Sequence, residues 1–256
     1  MSRLLAINAN TRADATERIA AACRPYEAPG DIVEYVGVEY GPEGIDSLLD
    51  VAIAAVETAR VASSRREEFD AFVVACANDP GVDVARQVTG KPVVGIAEAG
   101  MHLAMTLGAR FSIVTFLAAE IPWMFELATL YGVGSRLSST VTLDLTTAEV
   151  VELDRLSLLE RTRLVCEQAV ERDRAEVIVL AGSLMVDLAP PLTGSVGVPV
   201  LSGMICGLRL ASALAGMGAV TSRAYKYRTP EKLDALIGYD DFRDVYGSSA
   251  ADLRHR

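Results

Sequence analysis

Histidine is nearly missing from this sequence: 256 residues contain two, His102 and His255. With so few imidazoles, general acid–base chemistry has to come from other groups. Cysteine is sparse as well. Cys23, Cys76, Cys166 and Cys206 lie about 40 residues or more apart, unlike a dense disulfide framework. No close Cys or Cys/His pair offers zinc-ligand spacing, so no metal site is expected. Basic residues are in the minority, 24 Lys+Arg against 34 Asp+Glu, for a net charge of -10. That balance argues against the basic face of a nucleic-acid binder and the polybasic segment of a membrane-surface protein. No apolar run approaches the ~18 residues of a membrane-spanning helix. The opening MSRLLAINANT lacks the apolar core and small-residue cleavage site of a signal peptide. A cytoplasmic location with reduced thiols is expected. Aromatic residues make up only 6%, but hydrophobic residues make up 51% and no low-complexity block occurs, so the chain is ordered. Its length suits one large or two small α/β domains.

Apolar runs alternate with amphipathic stretches. Strands are expected at Arg3–Asn8, Ile32–Gly37, Ala71–Ala75, Pro92–Ile96, Phe111–Thr115, Val141–Leu145, Glu176–Ala181 and Pro199–Leu201. Several are short, rich in Val and Ile and apolar on both faces, as buried parallel strands are. Helical spacing of apolar residues marks Ala15–Ala22, Ile45–Val61, Ala99–Leu107 and Leu156–Arg172. Strand, helix and strand in repetition predict an α/β fold with mainly parallel sheets.

The chain also echoes itself. Residues 73–101 read VVACANDPGVDVARQVTGKPVVGIAEAGM, and residues 179–204 read VLAGSLMVDLAPPLTGSVGVPVLSGM. Both show an apolar strand, a small-residue turn, V-D-[VL]-A, [VL]-T-G, a P-V strand and a G-M opening a helix. This predicts two pseudosymmetric, Rossmann-like halves, residues 1–97 with 206–256 and residues 98–205. A ligand site belongs between them, beyond the carboxyl ends of the strands.

Two related turns would line that site. In the first, Ala75–Gly81, Cys76 ends a buried strand, with Pro80 suited to a first helical position and Asp79 to its N-cap. A thiol beside a helix N-terminus is held where the macrodipole favours thiolate. A buried structural cysteine is the alternative. In the second turn Gly182 aligns with Cys76, so one turn carries a thiol and the other a hydrogen. Ser183 beside it offers a hydroxyl, or caps a helix. Ala77 and Asn78 in the first turn, Asn8 and Asn10 after the first strand, and Thr115 and Phe116 after the fifth are candidate substrate contacts. The amides and hydroxyls among them are equally good turn formers. Cys23, Cys166 and Cys206 fall on apolar helix faces and belong to the core. His102 and Glu98 sit on one helix, with structural roles expected. Thr221–Tyr225 reads as a polar clamp or a solvated turn.

These residues carry a resemblance to a known family. INANT at 7–11, GPEGIDS at 41–47, ACANDPG at 75–81, PVVGIAEAGMHLAMTLGARFSIVT at 92–115, VPV at 198–200 and TSRAYKY at 221–227 resemble the Asp/Glu/hydantoin racemase superfamily, closest to its hydantoin and allantoin racemase branch, over nearly the whole chain. The resemblance implies two α/β halves with the site at their interface, a small-molecule substrate, no cofactor and a homo-oligomer. It also implies a chemistry of two cysteines on opposite faces of the substrate, one removing a proton next to a carbonyl and one returning it. Cys76 matches the first of them. The second would fall in a G-C-A-G-M turn, where this chain has Ala181, Gly182, Ser183, Leu184 and Met185. Ser202 stands near a position where the family commonly has Asp. Three activities follow as expectations: a racemase working through cysteine acid–base chemistry, a one-cysteine lyase or hydrolase such as the fold relative arylmalonate decarboxylase, and a non-catalytic binder. Restoring cysteine at 182 is expected to raise racemisation.

Overall fold

The computed structural model describes residues 1–229 and 240–242. Residues β1 (Arg3–Asn8), β2 (Ile32–Gly37), β3 (Ala71–Val74) and β4 (Val93–Gly95) form one parallel sheet in the order β2-β1-β3-β4. A second parallel sheet repeats that order as β6-β5-β7-β8, from β5 (Phe111–Thr115), β6 (Leu137–Thr142), β7 (Val177–Leu180) and β8 (Val200–Ser202). The central strands β3 and β7 are buried along their whole length. That burial is what their unbroken apolar sequence encodes. The fold is therefore α/β with two matching halves, as expected.

One strand lies elsewhere than expected. Leu137–Thr142, not Val141–Leu145, pairs with β5. β6 is an edge strand whose Ser138 and Ser139 are only half-buried, and the Ser139 hydroxyl bonds that of Ser112 at 2.8 Å. Its half-polar pattern hides it, while Leu143 and Leu145 are buried in the loop beyond.

The helices are α1 (Ala13–Cys23), α2 (Leu48–Ser64), α3 (Val82–Thr89), α4 (Ile96–Ala104), α5 (Glu120–Leu130), α6 (Thr147–Glu152), α7 (Arg155–Glu171), α8 (Ala189–Val196) and α9 (Gly203–Gly216). α2 starts later than its apolar periodicity indicates, because the Ser47 hydroxyl accepts from Asp50 N at 3.2 Å and caps it there. That leaves Ile45 in a loop, buried. α4 follows β4 directly, earlier than the Ala99 expected, so Gly100-Met101 lies within the helix rather than opening it.

The helices after the two sheets change sides. α4 leaves β4 and packs on β7 and β8, while α9 leaves β8 and packs on β1, β3 and β4. The two cross where Gly100 meets Gly203; a Cβ on Gly203 would lie 2.8 Å from the Ile96 carbonyl oxygen. This exchange supports the division we propose, residues 1–97 with 206–256 and residues 98–205. Part of the last segment lies outside the described residues. Among the described residues no helix is long and apolar enough to cross a membrane.

Candidate active site

The strand β3 delivers Cys76 to the cleft. Ala75 N still bonds Ile7 O across the sheet at 2.8 Å, and the chain then turns with Asp79 N donating to Cys76 O at 3.1 Å. Asp79 has φ +46, a left-handed conformation rare outside glycine. Its carboxylate does not cap the helix that follows it. α3 begins at Val82 with left-handed Gly81 as N-cap. Asp79 instead accepts from Ala97 N at 3.1 Å and Glu98 N at 2.8 Å, capping α4, and from the Tyr131 hydroxyl at 2.9 Å. It reaches that position because Gly95 has no side chain; a Cβ there would lie 2.2 Å from the Asp79 carboxyl carbon. Burial pushes the Asp79 carboxyl up to about 7, against the pull of those three donors.

The expected dipole effect on Cys76 is reversed. Burial, followed by the charges of Glu120, Asp79 and Asp46, pushes the thiol up to about 12, against the pull of the Asn78 N–H. That direction favours the protonated thiol at neutral pH. The helix expected to begin beside Cys76 starts only at Val82, with Gly81 as its N-cap.

Cys76 lines a cleft of about 430 Å³, part of it open to solvent, together with Asn8, Asn10, Ala77, Phe116, Gly182 and Ser183. Asn8 Nδ2 donates to Asn10 Oδ1 and to Thr16 Oγ1, both at 2.9 Å, and Asn10 Oδ1 also accepts from Arg12 N at 3.1 Å. These amides thus hold the β1 turn together as well as facing the cleft. Ser183 opens a 3-10 turn with Gly182 as N-cap and makes no capping bond. Asn78 and Thr115 do not line this cleft; both turn to Glu120.

Glu120 is the site residue that motif reading missed. It is buried and lines the cleft. Its Oε2 accepts from Thr115 Oγ1 at 2.5 Å and from Phe116 N and Leu117 N at 3.1 Å, and its Oε1 accepts from Asn78 Nδ2 at 3.3 Å. One carboxylate therefore ties the Cys76 turn of the first half to the end of β5 in the second. The only signal in sequence is an acidic residue at the start of an apolar helix, which marks many helix N-termini. Ile45 and Thr147, which also line the cleft, were equally unsignalled.

Gly182 faces a full space. A Cβ on it would lie 2.4 Å from Phe116 Cζ and 2.9 Å from Met185 Cε. The ring of Phe116 occupies the volume that a second thiol would need.

The remaining candidates are structural. Cys23, Cys166 and Cys206 are free and buried, each thiol pushed up to about 12, chiefly by burial. His102 Nδ1 lies 2.8 Å from Glu98 O, and Glu98 pairs with Arg86 at 2.5 Å. Ser202 caps α9, accepting from Ile205 N at 3.4 Å. The Thr221 segment straps α3: Thr221 Oγ1 donates to Lys91 O at 2.6 Å, and the Tyr227 hydroxyl to Asp83 at 2.6 Å. His255 lies outside the described residues. A larger open depression beside Glu57, Arg60 and Arg66 carries no thiol. Among the described residues no three His, Cys, Asp or Glu side chains converge as a metal site.

The family model of the Asp/Glu/hydantoin racemases matches residues 4–211. The chain belongs to that family. Within the family, it is 34% identical over 242 residues to a hydantoin racemase of Pseudomonas sp. (strain NS671), covering 94% of this chain and 96% of that one. The structure of allantoin racemase from Klebsiella pneumoniae superposes with a TM-score of 0.89 at 34% identity, covering 96% of this chain and all of that one. Unliganded arylmalonate decarboxylase, 20% identical with a TM-score of 0.56 over 90% of this chain and all of that one, shares the fold.

Proposed function

We propose that this protein is a cofactor-independent racemase acting on a small hydantoin-like or amino-acid-like substrate, with Cys76 as the proton-transferring group. The observation that carries the reading is the placement of a single thiol in the cleft between two halves of this family's fold. A hydrogen on a carbon next to a carbonyl is acidified because the electron pair left behind spreads into the C=O. Cys76 first loses its proton to solvent and, as thiolate, takes the substrate proton and becomes a thiol, leaving an enolate. Reprotonation on the opposite face inverts the centre. On the Gly182 face no thiol is present, so the second proton comes from water, or from the Ser183 hydroxyl, whose alkoxide regains a proton from solvent. Neither cavity wall at the site presents Lys or Arg, which suits a neutral ring better than a dicarboxylate.

A second reading rests on the protonation of Cys76. A neutral thiol is the form that donates, so a lyase in which Cys76 protonates a carbanion left by bond cleavage fits the same cleft. One experiment separates the two. A single enantiomer of 5-benzylhydantoin is incubated with enzyme in deuterated water. Racemisation with a gain of one mass unit supports the first reading, and Cys76→Ala should lower it by orders of magnitude. No exchange with any hydantoin, with a product of lower mass from another substrate, replaces the first reading with the second.

A further inference from the structure

Beside the Cys76 cleft lies an annex of about 680 Å³, partly open to solvent, which shares the lining residues Ile45 and Glu120 with it. Ile45, Ala119, Pro122 and Trp123 give the annex a mostly apolar wall, and Asn78 stands in it at the Cys76 turn. Trp123 is the single tryptophan of the chain. It is half-buried.

Asn78 is 4% exposed. Its Nδ2 donates to Glu120, but its Oδ1 is buried without a partner among the described residues. Turning the amide over does not relieve this, because it would set the oxygen against a carboxylate oxygen. A buried acceptor left open in a wall two residues from the reactive thiol is what a ligand donor would complete. The acids Asp46 and Glu126 stand at the annex as well, with no Lys or Arg. The missing group is therefore an N–H or O–H on a molecule without negative charge.

We propose that the annex selects the substrate: Asn78 Oδ1 accepts an N–H of the ring, and the Trp123 wall seats an apolar, ring-bearing substituent on the reacting carbon. The inference builds on the hydantoin-like substrate proposed above and narrows it to aryl- or arylalkyl-substituted imides and ureides. A polar ureido substituent would lose its hydration against Ile45, Pro122 and Trp123 without gaining partners there.

The test uses the full-length protein and probes without a hydrogen on the reacting carbon, so that binding is read without turnover. Calorimetry compares 5-benzyl-5-methylhydantoin with 5,5-dimethylhydantoin and with forms methylated at either ring nitrogen. The benzyl compound should bind at least about tenfold more tightly than the dimethyl one, and methylation of one nitrogen should weaken it at least about tenfold. Trp123→Ala should erase the first ratio while Trp123→Phe keeps it. Asn78→Leu should erase the second. Equal affinities in the wild type, no binding, or ratios that survive Trp123→Ala and Asn78→Leu would overturn the proposal. Binding with these ratios but no proton exchange on a C5–H hydantoin would leave the annex standing and remove racemisation. Exchange without the ratios would do the reverse.

Discussion

The ring of Phe116 stands where a side chain on Gly182 would have to go, 2.4 Å from the position of its Cβ. The two positions belong to neighbouring strand ends, β5 and β7. The absent side chain at one and the large ring at the other form a single packing unit. Gly182→Cys alone should therefore lower the melting temperature and add little racemisation. Gly182→Cys with Phe116→Ala should open the space and raise racemisation of a matching hydantoin at least about tenfold over wild type. A double variant no faster than wild type would refute a two-thiol geometry at this site.

Thiol reactivity reports the electrostatics around Cys76. With the thiol pushed up to about 12, alkylation of this residue by iodoacetamide should be slow at neutral pH. It should climb about tenfold per pH unit through pH 9 and beyond. Glu120→Gln removes the carboxylate that is the largest charge contribution to that rise, so the profile should move to lower pH. The same change leaves an amide among four donors, and a loss of about 1–3 kcal/mol of stability is expected from the mismatched bonds. Peptide mapping isolates Cys76 from the three buried cysteines. An unchanged profile in Glu120→Gln would contradict this assignment.

Asp79 should give a pH-dependent stability. Its carboxyl is raised from an ordinary 3.8 to about 7 in the fold, so the folded state holds a proton that the unfolded state releases. Stability from this group is full below pH 4 and declines as pH rises to about 7. Asp79→Asn removes the titration. Urea unfolding at several pH values should show wild type losing stability relative to Asp79→Asn between pH 4 and 7; a constant difference would show that Asp79 is not protonated in the fold.

The crossing of α4 and α9 tolerates no added atoms. A Cβ on Gly203 would meet two backbone oxygens, Ile96 O at 2.8 Å and Leu180 O at 3.2 Å. Backbone cannot swing aside as a side-chain tip does, so Gly203→Ala should cost about 1–3 kcal/mol. Equilibrium unfolding measures this, and an unchanged midpoint would show that the helices re-space freely.

The turn that carries Cys76 was legible because a thiol between small residues at the end of an apolar strand is unusual, and because the second half repeats its frame. Its protonation was not legible. Burial is the main cause, and Glu120 and Asp46, whose charges add to it, come from α5 and from the loop before α2. Asp79 shows the same limit: local spacing made it the cap of the next helix, but Gly95 opened a place for it over α4.

Apolar runs of three to six residues alternating with amphipathic stretches, repeated with one frame, determined the α/β class, the doubled architecture and the candidate thiol by sequence alone. These are local patterns, set by what each segment must bury. Only the tertiary structure decided what surrounds that thiol: Phe116 filling the place beside Gly182, Glu120 bridging the halves, and Asn78 left with an open acceptor in the annex wall. Each depends on side chains brought together from distant strand ends, and the distance between them in space is not written in their spacing along the chain.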